Sequence, residues 1–259
     1  KEVDIPETSF DVYDLAALAY IYKRIKETDP VREASHVVID EAQDFGMMAY
    51  CCLHYCLRGC TYTIMGDTSQ NIHFRYGLND WEELRKLVLT GTYDAFGLLR
   101  KSYRNTVEIA SYAANLIGVT DLELFERHGM PVVERDVTDL EAALREAVDT
   151  LFPEEKTYET AAVIVPDEKT AERAYLILRE ILAEKDFDCE KRLSWLNRDS
   201  SSFKKGLTVT TFYLAKGLEF DQVIVLSRQE LLKNDSDEGR KLLYVAMTRA
   251  RRESRVVFV

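Results

Sequence analysis

The chain contains no Gly-x-x-x-x-Gly-Lys-Ser/Thr segment, so it has no loop of the kind that wraps backbone amides, a lysine and a Mg²⁺-binding hydroxyl around phosphates. It has no apolar run near the roughly 18 residues a membrane-crossing helix needs, and no basic-then-apolar leader. A membrane-spanning or secreted chain is thereby set aside in favour of a cytoplasmic one. No Cys-x-x-Cys pair occurs, although Cys51, Cys52, Cys56 and Cys60 crowd one segment of a chain with five cysteines. In a reducing compartment disulfides are not expected, and the spacing of 52, 56 and 60 predicts small buried residues along one helical face. A metal or cluster site that includes His54 is the alternative, weakened by the missing pair. An excess of positive charge is also missing, since 34 Lys and Arg stand against 45 Asp and Glu for a net charge of -11. From residue 204 onward there are 11 basic and 7 acidic residues, net +4, which leaves -15 for the rest. Any nucleic-acid surface is therefore local, because affinity for phosphates comes from Lys and Arg.

What is present is an ordinary globular composition, 46% apolar and 31% charged, over 259 residues: one large domain or two small ones. Short apolar, largely β-branched runs at 37–39, 62–65, 132–133, 161–165, 207–212, 223–226 and 255–259 predict strands buried on both faces. Helical patterns at 9–27, 46–57, 80–89, 106–117, 138–151, 169–185 and 238–248 alternate with them, the first with Ser9 as N-cap and Asp29-Pro30 as stop. This alternation predicts an α/β fold with a mainly parallel sheet covered by helices. A composition change over 91–98 marks the expected domain boundary. The chain starts at Lys1 and its first helical stretch runs straight into motif-bearing sequence, which reads as a piece of a longer polypeptide.

Polar residues follow several of the strands, where open parallel sheets gather their ligands. Asp40 and Glu41 come directly after 37–39, with Gln43 and Asp44 behind them. One carboxylate at such a place can hold Mg²⁺ and its neighbour can polarise an attacking water, although an acidic strand end can also simply face solvent. Gly66, Asp67 and Gln70 follow 62–65 as a tight turn whose glutamine could sense a terminal phosphate. Beyond them Ile72, His73, Phe74 and Tyr76 offer either core or faces for single-stranded bases. Tyr103 could stack on adenine and Arg104 could reach a γ-phosphate, though an isolated Tyr-Arg pair means little. Lys216, Gly217, Glu219 and Asp221 lie between two strands, with Gly217 allowing a tight loop and Glu219 able to accept a ribose hydroxyl. Arg249 ends a helical stretch, placed either to stabilise charge on a γ-phosphate or to face the helix's negative end at the surface.

Taken in order, segments 40–44, 66–70, 102–104, 216–221 and 244–250 resemble motifs II to VI of superfamily 1 helicases of the UvrD/Rep type, covering residues 36–259. The resemblance implies ATP and Mg²⁺ as cofactors, with Asp40 and Glu41 as the magnesium and water-activating pair and Gln70 as the γ-phosphate sensor. It implies Tyr103 as the adenine-stacking residue, Arg104 and Arg249 as arginine fingers, Glu219 as the ribose contact, and Lys216 and Gly217 as further cofactor-binding residues. The implied fold is the later part of one RecA-like domain (residues 1–97) and a complete second one (98–259), with the nucleotide bound between them. Lys101 to Arg104 and Tyr213 to Asp221 are most similar to the HelD, helicase IV-like branch, which implies bacterial RNA polymerase as a partner beside single-stranded DNA. Two features depart from UvrD and Rep: Tyr213 stands where a histidine is usual, and 113 positions between Tyr103 and Lys216 leave no room for their large inserted domain. A 3′-to-5′ repair helicase and a non-catalytic docking module are the competing readings.

Overall fold

A computed structural model describes residues 10–26, 34–151, 158–185, 187–200, 205–228 and 237–259. The chain separates into two compact units, Lys1–Leu98 and Leu99–Val259. Strand pairings among the described residues are parallel, so the expected α/β class with parallel sheets is what the chain adopts.

The first unit contains α1 (Val12–Lys26), β1 (His36–Ile39), α2 (Met47–Cys56), β2 (Thr61–Ile64) and α3 (Glu82–Val88). Strands β1 and β2 pair with Ile39 opposite Ile64. Their inward side chains join Ala42, Tyr50, Leu78 and Leu84 in a small core. The outward side is open, with Val38 61% exposed and Thr61 and Thr63 exposed, so the expectation of burial on both faces fails here. A parallel strand is buried twice only where helices cover both faces. Asp11 caps α1 by accepting from the amides of Tyr13 and Asp14, each at 2.8 Å. The expected cap Ser9 and stop Asp29-Pro30 lie outside the described residues.

The second unit is built on a six-stranded, all-parallel sheet ordered β5-β10-β9-β6-β8-β7. Its elements are β3 (Lys101–Ser102), α4 (Val107–Ile117), β4 (Glu123–Leu124), β5 (Val133–Asp136), α5 (Leu140–Val148), β6 (Thr160–Val165), α6 (Glu168–Ala183), α7 (Cys189–Arg192), β7 (Leu193–Trp195), β8 (Gly206–Thr211), β9 (Phe220–Ser227), α8 (Asp237–Met247) and β10 (Ala250–Phe258). Strand alternation feeds two cores, one on each face. Ala161, Val163 and Val165 meet α5 and α6 through Leu144, Leu178 and Ile181. Ala162 and Ile164 meet α4 and α8 through Ile109, Leu243 and Met247. Here burial on both faces holds from Ala161 onward in β6 and throughout β8.

The cysteine segment differs from its expectation. Cys52 and Cys56 stand one turn apart on α2 with sulfurs 4.0 Å apart, but Cys60 has left the helix and donates to the Ala34 carbonyl at 2.8 Å. The helix ends because Gly59 turns the chain at φ 88° into β2. All five thiols are free and half-buried, and no group of three or more His, Cys, Asp or Glu able to hold a metal occurs among the described residues. No helix among them is long and apolar enough to cross a membrane.

Candidate functional site

In the first unit, backbone hydrogen bonds tie together the ends of β1 and β2. Met65 N donates to Ile39 O at 2.8 Å and Ala42 N to Met65 O at 2.9 Å. Asp40 is exposed at the strand end and takes the Glu41 amide on Oδ1 at 2.8 Å. Glu41 then adopts a left-handed backbone, φ 50° and ψ 41°, which for a side chain of this size costs on the order of 1–3 kcal/mol. A single 3₁₀ turn, Ala42–Asp44, holds that conformation, and its Ala42 carbonyl accepts the buried Tyr50 hydroxyl at 2.6 Å.

Gln43 is fully buried and joins the acidic end of β1 to the turn after β2. Its Nε2 donates to Glu41 Oε2 at 2.5 Å, and its Oε1 accepts from Asp67 N at 2.9 Å. Asp67 in turn caps a second 3₁₀ turn, Thr68–Gln70, through the Ser69 amide, and its Oδ2 accepts from Gln70 Nε2 at 2.9 Å. Glu41, Gln43, Asp67 and Gln70 thus form one connected polar chain. Gly66 serves it by its small size rather than by a turn: a Cβ there would lie 2.4 Å from Gln43 Oε1 and 2.9 Å from Ala42 N. Mg²⁺ sites commonly use one or two carboxylates plus phosphate and water oxygens, so the adjacent Asp40 and Glu41 carboxylates suit that ion. The aromatic run beyond is largely used internally. Ile72 is buried, and Tyr76, which is 46% exposed, stacks on Tyr13 with ring centroids 4.0 Å apart.

In the second unit the candidate residues converge from distant parts of the sequence. Arg104 Nε lies 2.7 Å from Glu219 Oε1, and Arg251 Nε lies 3.8 Å from Glu219 Oε2. Tyr103 is 64% exposed beside Phe125, with centroids 5.6 Å apart and the Lys101 ammonium 5.5 Å and 5.7 Å from the two rings. The loop from Phe212 to Glu219 holds half-buried Lys216 and turns at Gly217, whose φ of 80° favours glycine and whose missing Cβ would meet open space. Asp221 has a structural task, accepting from Glu159 N and from Thr160 N and Oγ1 to hold the start of β6.

Arg249 lies between α8 and β10 and is 1% exposed, so it is not the surface arginine that one reading allowed. Its Nε donates to the Val245 carbonyl at 2.9 Å, satisfying a last-turn acceptor of α8. Its own carbonyl accepts Phe220 N at 2.9 Å. Glu219 and Arg249 therefore sit at the amino ends of β9 and β10, not at the carboxyl ends where polar residues were expected to gather. Helix α8 reaches this side with its negative C-terminal end, so positive charge here comes from side chains and not from the helix.

Sequence reasoning missed three residues. Asn105 ends the segment that carries Tyr103 and Arg104 but had no role assigned, Phe125 and Arg127 belong to no recognisable spacing, and Asn105 and Arg127 act on backbone carbonyls, which leave no trace in a sequence. Gln43 was noted only as a polar neighbour.

Residues 206–257 match the family described as the UvrD-like helicase C-terminal domain. They run from β8 through β10 and include Lys216, Gly217, Glu219 and Arg249. No curated protein sequence matches the chain. Among solved structures it is similar to the C-terminal domain of a possible DNA helicase from Lactobacillus plantarum WCFS1, at 26% identity over 61% of this chain and 88% of that one, with a TM-score of 0.46. The family match spans 52 of the 259 residues and lies within the helix-covered parallel sheet of the second unit.

Proposed function

We propose that the chain is the carboxyl-terminal part of an ATP-driven superfamily 1 helicase or translocase of HelD type. In this reading the first unit is the later part of one RecA-like domain, and the second unit is a complete RecA-like domain without an insertion. Asp40 and Glu41 hold Mg²⁺ and activate water, Gln70 senses the γ-phosphate, and Tyr103 stacks on adenine. Arg104 and Arg249 stabilise charge on the transferring phosphoryl group, while Glu219 contacts the ribose and Lys216 and Gly217 are further cofactor-binding residues. The protein works on single-stranded DNA or against RNA polymerase.

The observation that carries this reading is the convergence of Arg104, Glu219 and Arg251 in one cluster beside the buried Arg249 segment. Guanidinium groups brought together from two ends of a domain, next to an exposed tyrosine ring, suit a ligand with phosphates and a flat base. The open outer face of β1 and β2 supports the first unit's being part of a larger sheet, since a two-stranded sheet has little stability alone.

The test compares the full-length protein with its Glu41→Gln variant in ATP hydrolysis, with single-stranded DNA and with RNA polymerase. The expected result is hydrolysis stimulated by the polymerase and reduced about 10²-fold or more in the variant. Stimulation by DNA alone would replace the HelD reading with a UvrD-type repair helicase. Absence of hydrolysis in the wild type would leave the docking module.

A further inference from the structure

We propose that Asn105 is a positioning residue for Arg104 and Arg249, acting through the backbone on either side of Arg249, with Arg127 as a second clasp. The inference rests on the reading of this region as part of a nucleotide site.

Asn105 is 6% exposed, and its Nδ2 donates to Thr248 O at 2.9 Å and to Ala250 O at 2.6 Å. An amide NH₂ has two hydrogens, and here each goes to one of the carbonyls that bracket Arg249. The residue immediately before Asn105 is Arg104. One side chain therefore fixes the separation of two guanidinium-bearing segments that are about 145 positions apart in the sequence.

Arg127 ties the same two segments a second time. Its Nη2 donates to the carbonyls of Arg104 and Tyr103 on one side and of Arg251 on the other. The loop that carries it is seated closely: Arg127 O accepts Val107 N at 2.9 Å, and a Cβ on Gly129 would lie 2.7 Å from Thr106 Cγ2 and 3.0 Å from Arg252 O. Residues 103–106, 127–129 and 248–252 form one cross-linked body. Such rigidity matters for groups that must meet a transferring phosphoryl group, where a displacement of ~1 Å can cost on the order of 10²-fold in rate.

The test uses ATP hydrolysis by the full-length protein carrying Asn105→Ala, Arg249→Ala or both. Asn105→Ala is expected to lower kcat by about 10- to 100-fold while moving the KM for ATP by less than about threefold. In the Arg249→Ala background the same substitution should cost clearly less than it does alone, because the part of its effect that runs through that arginine is gone while the part through Arg104 remains. If Asn105→Ala does not fold, Arg127→Lys, which keeps a cation and a single donor group, should show the same split between kcat and KM. A folded Asn105→Ala protein with near wild-type kcat overturns the inference, as does a loss that multiplies fully with that of Arg249→Ala. Wild-type protein that hydrolyses no ATP overturns the underlying reading instead, so the two failures are distinct.

Discussion

Arg104 and Glu219 lie 115 positions apart in the sequence and meet at 2.7 Å through Nε and Oε1. Their side chains keep 38% and 41% exposure, so solvent screens the pair and its contribution to stability is at most ~1 kcal/mol. Its value is geometric, because it fixes the direction in which the Arg104 guanidinium points.

Replacing Glu219 by Gln should therefore leave the melting temperature nearly unchanged. In the full-length protein it should weaken ATP binding about 5- to 10-fold, the loss of one charged acceptor. A nucleotide titration beside a thermal melt separates the two effects. A large drop in melting temperature with unchanged binding would make Glu219 a structural anchor.

Gly66→Ala should destabilise the first unit by about 1–3 kcal/mol, since its Cβ meets Gln43 Oε1 and the Ala42 backbone. Gly97→Ala is the control, as nothing lies within 4 Å of the Cβ it would add. Urea unfolding of the two variants should show a lowered midpoint for the first alone.

The purified 259-residue chain should hydrolyse ATP barely or not at all, since it has no phosphate-binding loop. A coupled-enzyme assay at millimolar ATP checks this. Turnover near that of a whole helicase motor would contradict the proposal that the chain is a part.

Glu108, in the first turn of α4, gives the second unit a specific acid sensitivity. Partial burial works to raise its pKa, but hydrogen bonds from its own backbone amide, the His128 ring and Gly129 N outweigh that and bring it down to about 2. A lowered folded-state value stabilises the protein above the ordinary 4.5, and that contribution fades as pH falls from there toward 2. Glu108→Gln should flatten the stability profile over that window, as read from denaturant midpoints at pH 5, 4 and 3. An unchanged slope would mean that other carboxylates dominate acid unfolding.

The parallel α/β architecture was legible because β6 and β9 carry continuous apolar runs, Ala161 to Val165 and Val223 to Leu226, and β8 is rich in β-branched residues, as strands covered by helices on both faces are. The pair β3–β4 and the short β7 were not, since two or three residues carry no periodicity. In the site, charged residues after apolar runs drew attention to Asp40, Glu41, Arg104, Glu219 and Arg249. What joins them was hidden. Gln43 and Asn105 work by where an amide points in three dimensions, and Arg127 grips carbonyls that every residue possesses.

An amide has a giving end and a receiving end, and that asymmetry sets the character of Gln43. It offers nitrogen to Glu41 and oxygen to the Asp67 backbone, and turning it over would set oxygen against carboxylate and NH₂ against N–H. The part fits one way round, like a keyed plug. Neither Glu nor Met can take its place and satisfy both neighbours, so a movement of the Glu41 carboxylate has a wired route, through Gln43 and Asp67, to the amide of Gln70.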